Sequence, residues 1–267
     1  MTDPTTYNLY AIKYAHHDRP PSMNFIESSD FHETNMPLDF FVWAAVSDDR
    51  TFVIDTGFNA ETAARRGREL IRCPSDGLAL IGVDAAEARD VIITHMHYDH
   101  VGNFDLFPNA TYHLQDREMN FATGRNMAHH VFNAAYDVED VVGMVREVYG
   151  GRVTFHDGDA ELAPGLSVHH IGGHTDGNKS VRVFTKRGWV VLASDASHLY
   201  ANMETANPFP IVYNVGEMVD GYARLRELVD SDDHIVPGHD PKVLERYPAV
   251  SGELEGIAVR LDVAPKG

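Results

Sequence analysis

The residues with the clearest capacity for chemistry lie in one stretch, Thr94-His95-Met96-His97-Tyr98-Asp99-His100. Three histidines and one aspartate come together there, directly after the apolar run Val91-Ile92-Ile93. Imidazole nitrogens and carboxylate oxygens are the ligands that zinc and similar divalent metals prefer. We therefore interpret the stretch as part of a metal site, and we expect the rest of the chain to supply further ligands.

Metal-binding side chains recur at three later breaks in the sequence pattern. His174 lies in the loop Gly172-Gly173-His174-Thr175-Asp176-Gly177, Asp195 follows Ser194, and His239 lies in Pro237-Gly238-His239-Asp240. An earlier break, Asp55-Thr56-Gly57, carries another carboxylate. Each of these residues alone is typical of an ordinary loop or core position, whereas the whole set in this order indicates a shared site.

The hydrophobic pattern places these breaks at the ends of predicted strands. Apolar, aromatic and β-branched residues predict strands at residues 7–14, 38–46, 51–54, 90–94, 111–114, 152–155, 166–171, 180–185, 189–193 and 234–236. Helical spacing predicts helices within residues 59–81, 85–88, 124–150 and 215–229. Asp116 is expected to cap a helix that runs through Phe121, and Asn214 to form a capping box with Glu217.

Strand-rich stretches occur in both halves of the chain, and each is followed by helices. This order fits two sheets stacked face to face with helices outside. No repeat or linker divides the sequence, so we expect one domain, residues 1–267, with a helical insertion around residues 116–150.

The ligand pattern resembles a known family. His95-x-His97-x-Asp99-His100, followed by His174, Asp195 and His239, resembles the metallo-β-lactamase superfamily over roughly residues 38–241, and Asp55-Thr56-Gly57 fits it too. The order of the segments is most similar to the N-acyl homoserine lactonase branch, whose Gly-His-Thr, Ser-Asp-Ala-Ser and Gly-His-Asp loops match this chain in place. The resemblance implies an α/β (α+β) fold, a four-layer αββα sandwich with two metal ions in a cleft at one edge.

The resemblance also implies how the ligands divide. His95, His97 and His174 would hold the first metal, Asp99, His100 and His239 the second, and Asp195 would bridge both. Neutral imidazoles with a shared carboxylate leave a position open for water, as a catalytic site requires. Zinc is the expected metal, and iron or manganese would also accept these nitrogen and oxygen ligands. Asp55 and Asp240 are expected to orient ligand histidines by accepting their second N–H.

The chemistry expected of such a site is hydrolysis of a lactone. A hydroxide shared by two metals about 3.5–4 Å apart would attack the ester carbonyl, and Asp99 would pass a proton to the leaving oxygen. In related acyl-homoserine lactonases, a tyrosine that contacts the substrate stands three residues after the bridging aspartate, where this chain has His198. His198, Tyr200 and Tyr213 are therefore the candidate substrate contacts. The substrate is either an acyl-homoserine lactone, which would make the protein a quorum-quenching enzyme, or a smaller catabolic lactone.

The composition limits the possible partners. A net charge of −18 at pH 7 repels phosphate backbones, so no nucleic-acid partner is expected. The single cysteine, Cys73, excludes an intrachain disulfide and a cysteine-rich zinc site. No apolar run is long enough to cross a bilayer, and residues 1–14 lack a basic segment followed by an apolar one. We expect a cytoplasmic monomer or homodimer whose partner is a small lactone or ester.

Two other functions remain open at this point. A thioesterase of the glyoxalase II type uses the same ligands and binds glutathione through basic residues near the C-terminus, for which this chain offers Arg224, Arg226, Lys242 and Arg246. A non-catalytic lactone-binding protein would be expected to have lost ligands, and this sequence has lost none. A β-lactamase is disfavoured by the bridging aspartate and by the lack of an export signal, and a nuclease is disfavoured by the acidic charge.

Overall fold

A computed structural model describes residues 4–27 and 35–266. The elements are numbered here in chain order. The strands are β1 (Asn8–His17), β2 (Leu38–Val46), β3 (Thr51–Ile54), β4 (Glu69–Leu70), β5 (Asp90–Ile92), β6 (Thr111–Gln115), β7 (Val153–His156), β8 (Ala160–Ala163), β9 (Leu166–His170), β10 (Lys179–Thr185), β11 (Gly188–Ser194), β12 (Ile235–Pro237) and β13 (Ala258–Arg260). The α-helices are α1 (Ala60–Arg66), α2 (Pro74–Ala79), α3 (Tyr98–Val101), α4 (Asp116–Ala122), α5 (His130–Asn133), α6 (Val138–Tyr149), α7 (Tyr200–Thr205), α8 (Val215–Glu227) and α9 (Lys242–Arg246).

The strands form two sheets. The larger sheet has the order β13-β1-β2-β3-β5-β6-β7, with β4 paired to β1, and the smaller sheet has the order β12-β11-β10-β9-β8. In the larger sheet β1, β2 and β3 are antiparallel, and β3, β5, β6 and β7 run parallel to one another. In the smaller sheet β11 and β12 are parallel. The carboxyl ends of β3 and β5 therefore lie at one edge of the larger sheet, and those of β11 and β12 at one edge of the smaller sheet.

The larger sheet is buried on both faces, which explains the unbroken apolar run of β2. Phe41 and Trp43 pack with side chains of the smaller sheet in one core. Phe40 and Val42, which alternate with them, pack on the helix side in a second core. Successive side chains of a strand point to opposite faces, so one short sequence supplies both cores.

Helix α8 covers the outer face of the smaller sheet. Its residues Met218, Tyr222 and Leu225 are buried in the same core as strands β10 and β11. The Asn214 side chain accepts a hydrogen bond from the Glu217 N–H at 3.3 Å, so Asn214 caps the helix as predicted. Within the described chain, the reciprocal bond of a capping box is not formed, because the Asn214 N–H donates to the Gly173 carbonyl. The layers are thus helices, larger sheet, smaller sheet and helices, and the predicted αββα sandwich is confirmed.

Several predicted helices differ in extent. Residues 59–81 do not form a continuous helix, because α1 ends at Gly67 in the left-handed conformation (φ 63°) and α2 begins at Pro74. Residues 85–88 form turns, and Asp116 is the first residue of α4 rather than its cap. Residues 124–150 contain α5 and α6 as separate helices, since Asp137 caps a new helix by accepting the Glu139 N–H. Helices α4, α5 and α6 lie between β6 and β7, in the region where the sequence predicts a helical insertion.

The ends of the strands of both sheets meet where the ligand candidates lie. The hydroxyl of Ser194, at the end of β11, donates to the hydroxyl of Thr94, which follows β5, at 2.8 Å. The backbone N–H of Lys179 donates to the Thr94 carbonyl at 3.1 Å. Among the described residues no helix is both long and apolar enough to cross a membrane.

Candidate metal centre

The histidine-rich stretch forms a buried loop and the first turn of a short helix. His95 is the third residue after the strand β5, His97 precedes α3, and Asp99 and His100 lie in the first turn of α3. The Asp55 carboxylate holds the start of this loop, because it accepts the N–H and the hydroxyl of Thr94, each at 2.8 Å. Asp55 has a φ of 61°, an unusual conformation for a residue with a side chain, which here aims a carboxylate into the site.

Three histidines and one oxygen of Asp195 converge on one side of the site. Nε2 of His174 lies 2.9 Å from Nδ1 of His97 and 3.2 Å from Nε2 of His95. Oδ2 of Asp195 lies 3.3 Å from Nε2 of His174 and 3.8 Å from Nε2 of His95. All four side chains are buried.

The other oxygen of Asp195 faces a second group of side chains. Oδ1 of Asp195 lies 3.0 Å from Nε2 of His239 and 3.4 Å from Nε2 of His100. Oδ2 of Asp99 lies 3.8 Å from each of these two nitrogens. The structure therefore brings all seven predicted ligands together, with Asp195 between the two groups.

These distances suit metal coordination better than hydrogen bonding. Ligand atoms at about 2.0–2.2 Å from a tetrahedral metal lie roughly 3.3–3.6 Å from one another, close to the spacings in both groups. Within the described residues, Nε2 of His100, Nε2 of His239 and Oδ1 of Asp195 are buried and form no hydrogen bond. Buried polar atoms without partners are costly, and coordination of a divalent ion by these nitrogens and this oxygen would remove that cost. The side chains thus fit two divalent metal ions.

The remaining ring nitrogens of the histidines are held by other groups. Nδ1 of His100 lies 2.7 Å from the Asp55 carboxylate, as the sequence predicted for Asp55. Nδ1 of His174 lies 2.7 Å from the Ile211 carbonyl, and Nδ1 of His239 lies 3.0 Å from the Asp39 carbonyl. Such contacts fix the ring orientation and leave the opposite nitrogen for a metal.

Asp240 has a different role from the one predicted. Its carboxylate accepts the backbone N–H groups of Tyr200 and Lys242, each at 2.9 Å, and orients no ligand histidine among the described residues. It instead holds the start of α7 against the loop that carries His239.

Burial and neighbouring charges together set the protonation of the site. Loss of solvent lowers the pKa of His95 and of His97 well below the ordinary value of histidine, so both rings are neutral, as metal binding requires. Burial alone would favour protonation of Asp195, but His239, His198 and His100 hold the pKa of its carboxyl well below the usual range. Asp195 is therefore a carboxylate.

Of the three candidate substrate contacts, His198 lies in the site. Its Nε2 is 2.8 Å from Oδ2 of Asp195, and its ring stacks on Phe209 with centroids 3.3 Å apart. Burial lowers the pKa of His198 well below its ordinary value, so the neutral ring donates to Asp195. In the part of the chain that the structure describes, Tyr200 and Tyr213 do not line the cavity. Tyr200 lies in the core under Arg246, and Tyr213 packs on Phe121.

Sequence reasoning missed Glu118, which joins two of the ligand loops. This fully buried carboxylate accepts the Met96 N–H at 2.8 Å and the Tyr136 hydroxyl at 2.8 Å on one oxygen. Its other oxygen accepts the Thr175 hydroxyl at 2.6 Å and the Gly177 N–H at 3.2 Å. Glu118 therefore holds the loop of His95 and His97 against the loop of His174.

The seven ligand candidates surround the base of a cavity of about 330 Å³, and five of them line it directly. Its outer wall consists of apolar residues and of basic residues that the sequence reasoning did not select: Arg19, Arg66 and Arg68. The four C-terminal basic residues considered for glutathione do not line this cavity within the described chain. An Arg-Arg-Gly-Arg run is visible in the sequence, but only the fold shows that it faces the cleft.

Comparison with known proteins agrees with this fold. A sequence model of the metallo-beta-lactamase superfamily matches residues 38–239. An N-acyl homoserine lactonase of a Bacillus species is 29% identical over 245 residues, which cover 83% of this chain and 91% of that protein. A probable metallo-hydrolase of Mycobacterium tuberculosis is 24% identical over 265 residues, covering 85% of this chain and 82% of that protein.

Solved structures show the same architecture. A mutant of AiiA from B. thuringiensis, with N-decanoyl-L-homoserine bound at its active site, superposes with a TM-score of 0.75 at 21% identity, covering 90% of this chain and 96% of that chain. The hydrolase AbOPH of the beta-lactamase superfamily superposes with a TM-score of 0.73 at 16% identity and covers 100% of both chains. At such identities the likeness concerns the fold.

Proposed function

The chain belongs to the metallo-β-lactamase superfamily, and from that premise we propose that it is a metal-dependent hydrolase that opens a lactone ring. The observation that carries the proposal is the position of Asp195, which directs Oδ2 at one group of ligands and Oδ1 at the other. A carboxylate shared in this way is suited to hold two ions side by side at the base of an open cavity.

His95, His97, His174 and Oδ2 of Asp195 would hold one ion, and Asp99, His100, His239 and Oδ1 of Asp195 the other. Zinc is the metal we propose, since neutral imidazoles and carboxylates are its preferred ligands where cysteine is absent. Bound as a pair, two such ions supply a hydroxide at neutral pH and polarise the ester carbonyl.

The side chains perform the remaining steps. Hydroxide adds to the carbonyl carbon, the ring C–O bond breaks, and the ring oxygen leaves with the bonding electrons. Asp99, whose carboxylate lines the cavity, would take the proton of the added hydroxide and pass it to that oxygen, which yields the hydroxy acid as its carboxylate. His198 keeps Asp195 in position through the hydrogen bond at its Oδ2.

Relatives named N-acyl homoserine lactonase support a lactone as the substrate. An acyl-homoserine lactone is one candidate, for which the protein would act in quorum quenching. The cavity of about 330 Å³ lies at the small end of ligand pockets and favours a compact lactone over a long acyl chain. Thioester hydrolysis is less well supported, because the basic residues that could bind glutathione lie elsewhere.

Asp195→Asn tests the proposal. An amide is a poor bridging ligand, so we expect the variant to lose at least one ion per chain by elemental analysis and to lose lactone hydrolysis by a factor of about 10² or more. The substrates are γ-butyrolactone, dihydrocoumarin, short- and long-chain acyl-homoserine lactones and S-lactoylglutathione. Asp220→Asn on exposed α8 is the matched control and should retain both properties. Full activity in an Asp195→Asn protein that holds two ions would contradict the role of Asp195 as the shared ligand. Turnover of the thioester alone would contradict a lactone as the substrate.

A further inference from the structure

The outer wall of the cavity carries an arginine cluster, Arg19, Arg66 and Arg68, on the same cavity as the metal ligands. Arg19 follows the strand β1, and Arg66 ends α1. Gly67, in the left-handed conformation with a φ of 63°, turns the chain so that Arg68 also faces the cleft. In a chain with a net charge of −18, this concentration of cations beside the site needs an explanation.

Arg66 is largely occupied by the protein itself. Its guanidinium lies 3.9 Å from the centroid of the Tyr98 ring and donates to the Ala134 and Tyr136 carbonyls at 2.8 and 2.9 Å. It therefore fixes the segment after α5 as one side of the cavity and adds charge to it.

Arg68 and Arg19 are only partly occupied. Arg68 donates from Nε to the Tyr98 hydroxyl at 3.0 Å and from Nη1 to the Arg66 carbonyl at 2.8 Å and to His17 at 3.1 Å. Arg19 donates from Nε to Asn24 and from Nη2 to the Met23 carbonyl. The remaining terminal nitrogens, Nη2 of Arg68 and Nη1 of Arg19, donate no hydrogen bond to any residue that the structure describes.

Among the described residues, the positive charges of the cluster have no ion-pair partner. None of the carboxylates in the described ranges lies within ion-pair distance of the three guanidinium groups. His17 is neutral, because burial and then Arg68 lower its pKa to about 4. Burial and then Arg68 lower the pKa of Arg19 to about 10, so Arg19 stays charged at neutral pH. The two acidic residues that line the cavity, Asp99 and Asp195, face the metal-binding histidines.

Arg19 is buried, and Arg66 and Arg68 are half-buried. Positive charge that is shielded from water and has no counterion is costly unless an anionic ligand pairs with it. Guanidinium groups present parallel N–H donors that match the two oxygens of a carboxylate or phosphate. Partly enclosed positive charge also focuses the field and attracts anions, against the repulsion of the acidic surface.

We propose that the arginine cluster binds an anionic group of the substrate, so that the substrate is a compact lactone carrying a carboxylate away from its ester. The inference rests on the proposed lactone hydrolysis and specifies its substrate class. Two bound divalent ions would occupy the base of the cavity and the anion would lie at its outer wall, which fixes the direction in which the ring enters. A phosphate group shares this recognition chemistry and is distinguished by experiment.

A matched pair of substrates tests the proposal. The metal-loaded protein is assayed with 5-oxotetrahydrofuran-2-carboxylate and with its uncharged carboxamide. We expect kcat/KM to favour the carboxylate by roughly tenfold or more, as one charge-assisted hydrogen-bonded pair would give. The preference should fall as ionic strength rises. A phosphate monoester of a hydroxymethyl lactone of the same ring size tests whether the anionic group is a phosphate. A higher kcat/KM for this ester than for the carboxylate would show that the cluster recognises phosphate.

Arg68→Gln should lower kcat/KM for the carboxylate substrate far more than for the carboxamide, mainly through KM, and so remove most of this preference. Arg68→Lys keeps the charge without the fork and should retain part of the preference. Arg224→Gln is the control, because this substitution removes the same charge far from the cavity. Arg224 forms ion pairs on the surface with Asp159 and Glu227. Equal kcat/KM for both substrates in the wild type, or an unchanged preference in Arg68→Gln, would overturn the proposal.

Binding separates this proposal from the proposed activity. Calorimetry with the ring-opened acids compares 2-hydroxyglutarate, which has a second carboxylate, with 4-hydroxybutanoate, which has one. Tighter binding of 2-hydroxyglutarate that Arg68→Gln abolishes supports the anion site even if no lactone is hydrolysed. Hydrolysis of neutral lactones with equal affinity for both acids would support lactone hydrolysis and contradict the anionic substrate.

Discussion

Among single residues, Asp195 contacts both groups of candidate ligands, and His198 holds its carboxylate. Ser194 precedes Asp195 with a φ of 48°, so the carboxylate leaves β11 from a strained backbone position. His198 donates to its Oδ2 at 2.8 Å and is itself fixed by stacking on Phe209. The residue that stands where related lactonases have tyrosine therefore contacts the carboxylate that would bridge the ions, besides lining the cavity.

His198→Phe tests this role. Phenylalanine keeps a ring for Phe209 to stack on and removes the donor to Asp195, so the carboxylate gains freedom. A hydrogen bond to a charged group contributes about 1.5–3 kcal/mol, so we expect kcat/KM to fall by roughly tenfold or more. Steady-state kinetics at measured metal content decide the matter, and His198→Gln, which restores an N–H donor, should recover part of the loss. An unchanged kcat/KM in His198→Phe would remove His198 from the mechanism.

Among the elements, α4 connects the loops that carry the ligands. Its buried Glu118 receives two donors from the side of the His95 loop and two from the side of the His174 loop. At Gly177 a β-carbon would lie 2.2 Å from the Glu118 backbone nitrogen, so only glycine allows this close approach. The geometry of the metal centre thus depends on a residue that touches no ligand side chain.

Glu118→Gln should loosen this connection. A glutamine amide must direct its NH₂ at one of the two backbone N–H groups that Glu118 now accepts, because those groups cannot rotate away. An unsatisfied buried donor costs about 1–3 kcal/mol, which corresponds to a fall in Tm of roughly 2–10 °C for a chain of this size. The Tm of thermal unfolding and the affinity for zinc should both decrease. The control is Glu253→Gln on the exposed surface. A Glu118→Gln protein with unchanged Tm and zinc affinity would contradict the role of the carboxylate.

Elements and ligands were predictable from sequence to different degrees. Strands β2 and β3 were predicted with the observed bounds because their apolar runs are long and the intervening turn is polar. The ligand loops were found because several residue types of one chemistry recur after strands. Glu118 was not found, since an acidic residue in the first turn of a helix is ordinary on a surface, and its burial depends on loops distant in sequence. Arg68 was missed for a similar reason, because the predicted helix did not end at Gly67.

On the scale of the whole molecule, the candidate ligands join the two sheets. His95, His97, Asp99 and His100 follow β5 of the larger sheet, whereas His174, Asp195 and His239 follow strands of the smaller sheet. Direct protein contacts also connect the sheets at this edge, among them the Ser194–Thr94 hydrogen bond and the backbone bond from Lys179 to Thr94. Ions held by ligands from both sheets would stabilise the folded chain, because the unfolded chain cannot present these ligands together.

Metal removal should therefore lower the stability of the entire fold and not only the activity. Binding at about a thousandfold excess over Kd stabilises a protein by about 4 kcal/mol, which predicts a fall in Tm on the order of 10 °C after dialysis against a chelator. Differential scanning calorimetry with elemental analysis of each sample measures the effect, and returned zinc should restore the Tm. In Asp195→Asn the chelator should shift the Tm much less, since this variant binds the ions weakly from the start. A wild-type Tm that stays constant while both ions are lost would contradict this prediction. It would show that the contacts between the sheets stabilise this edge without metal.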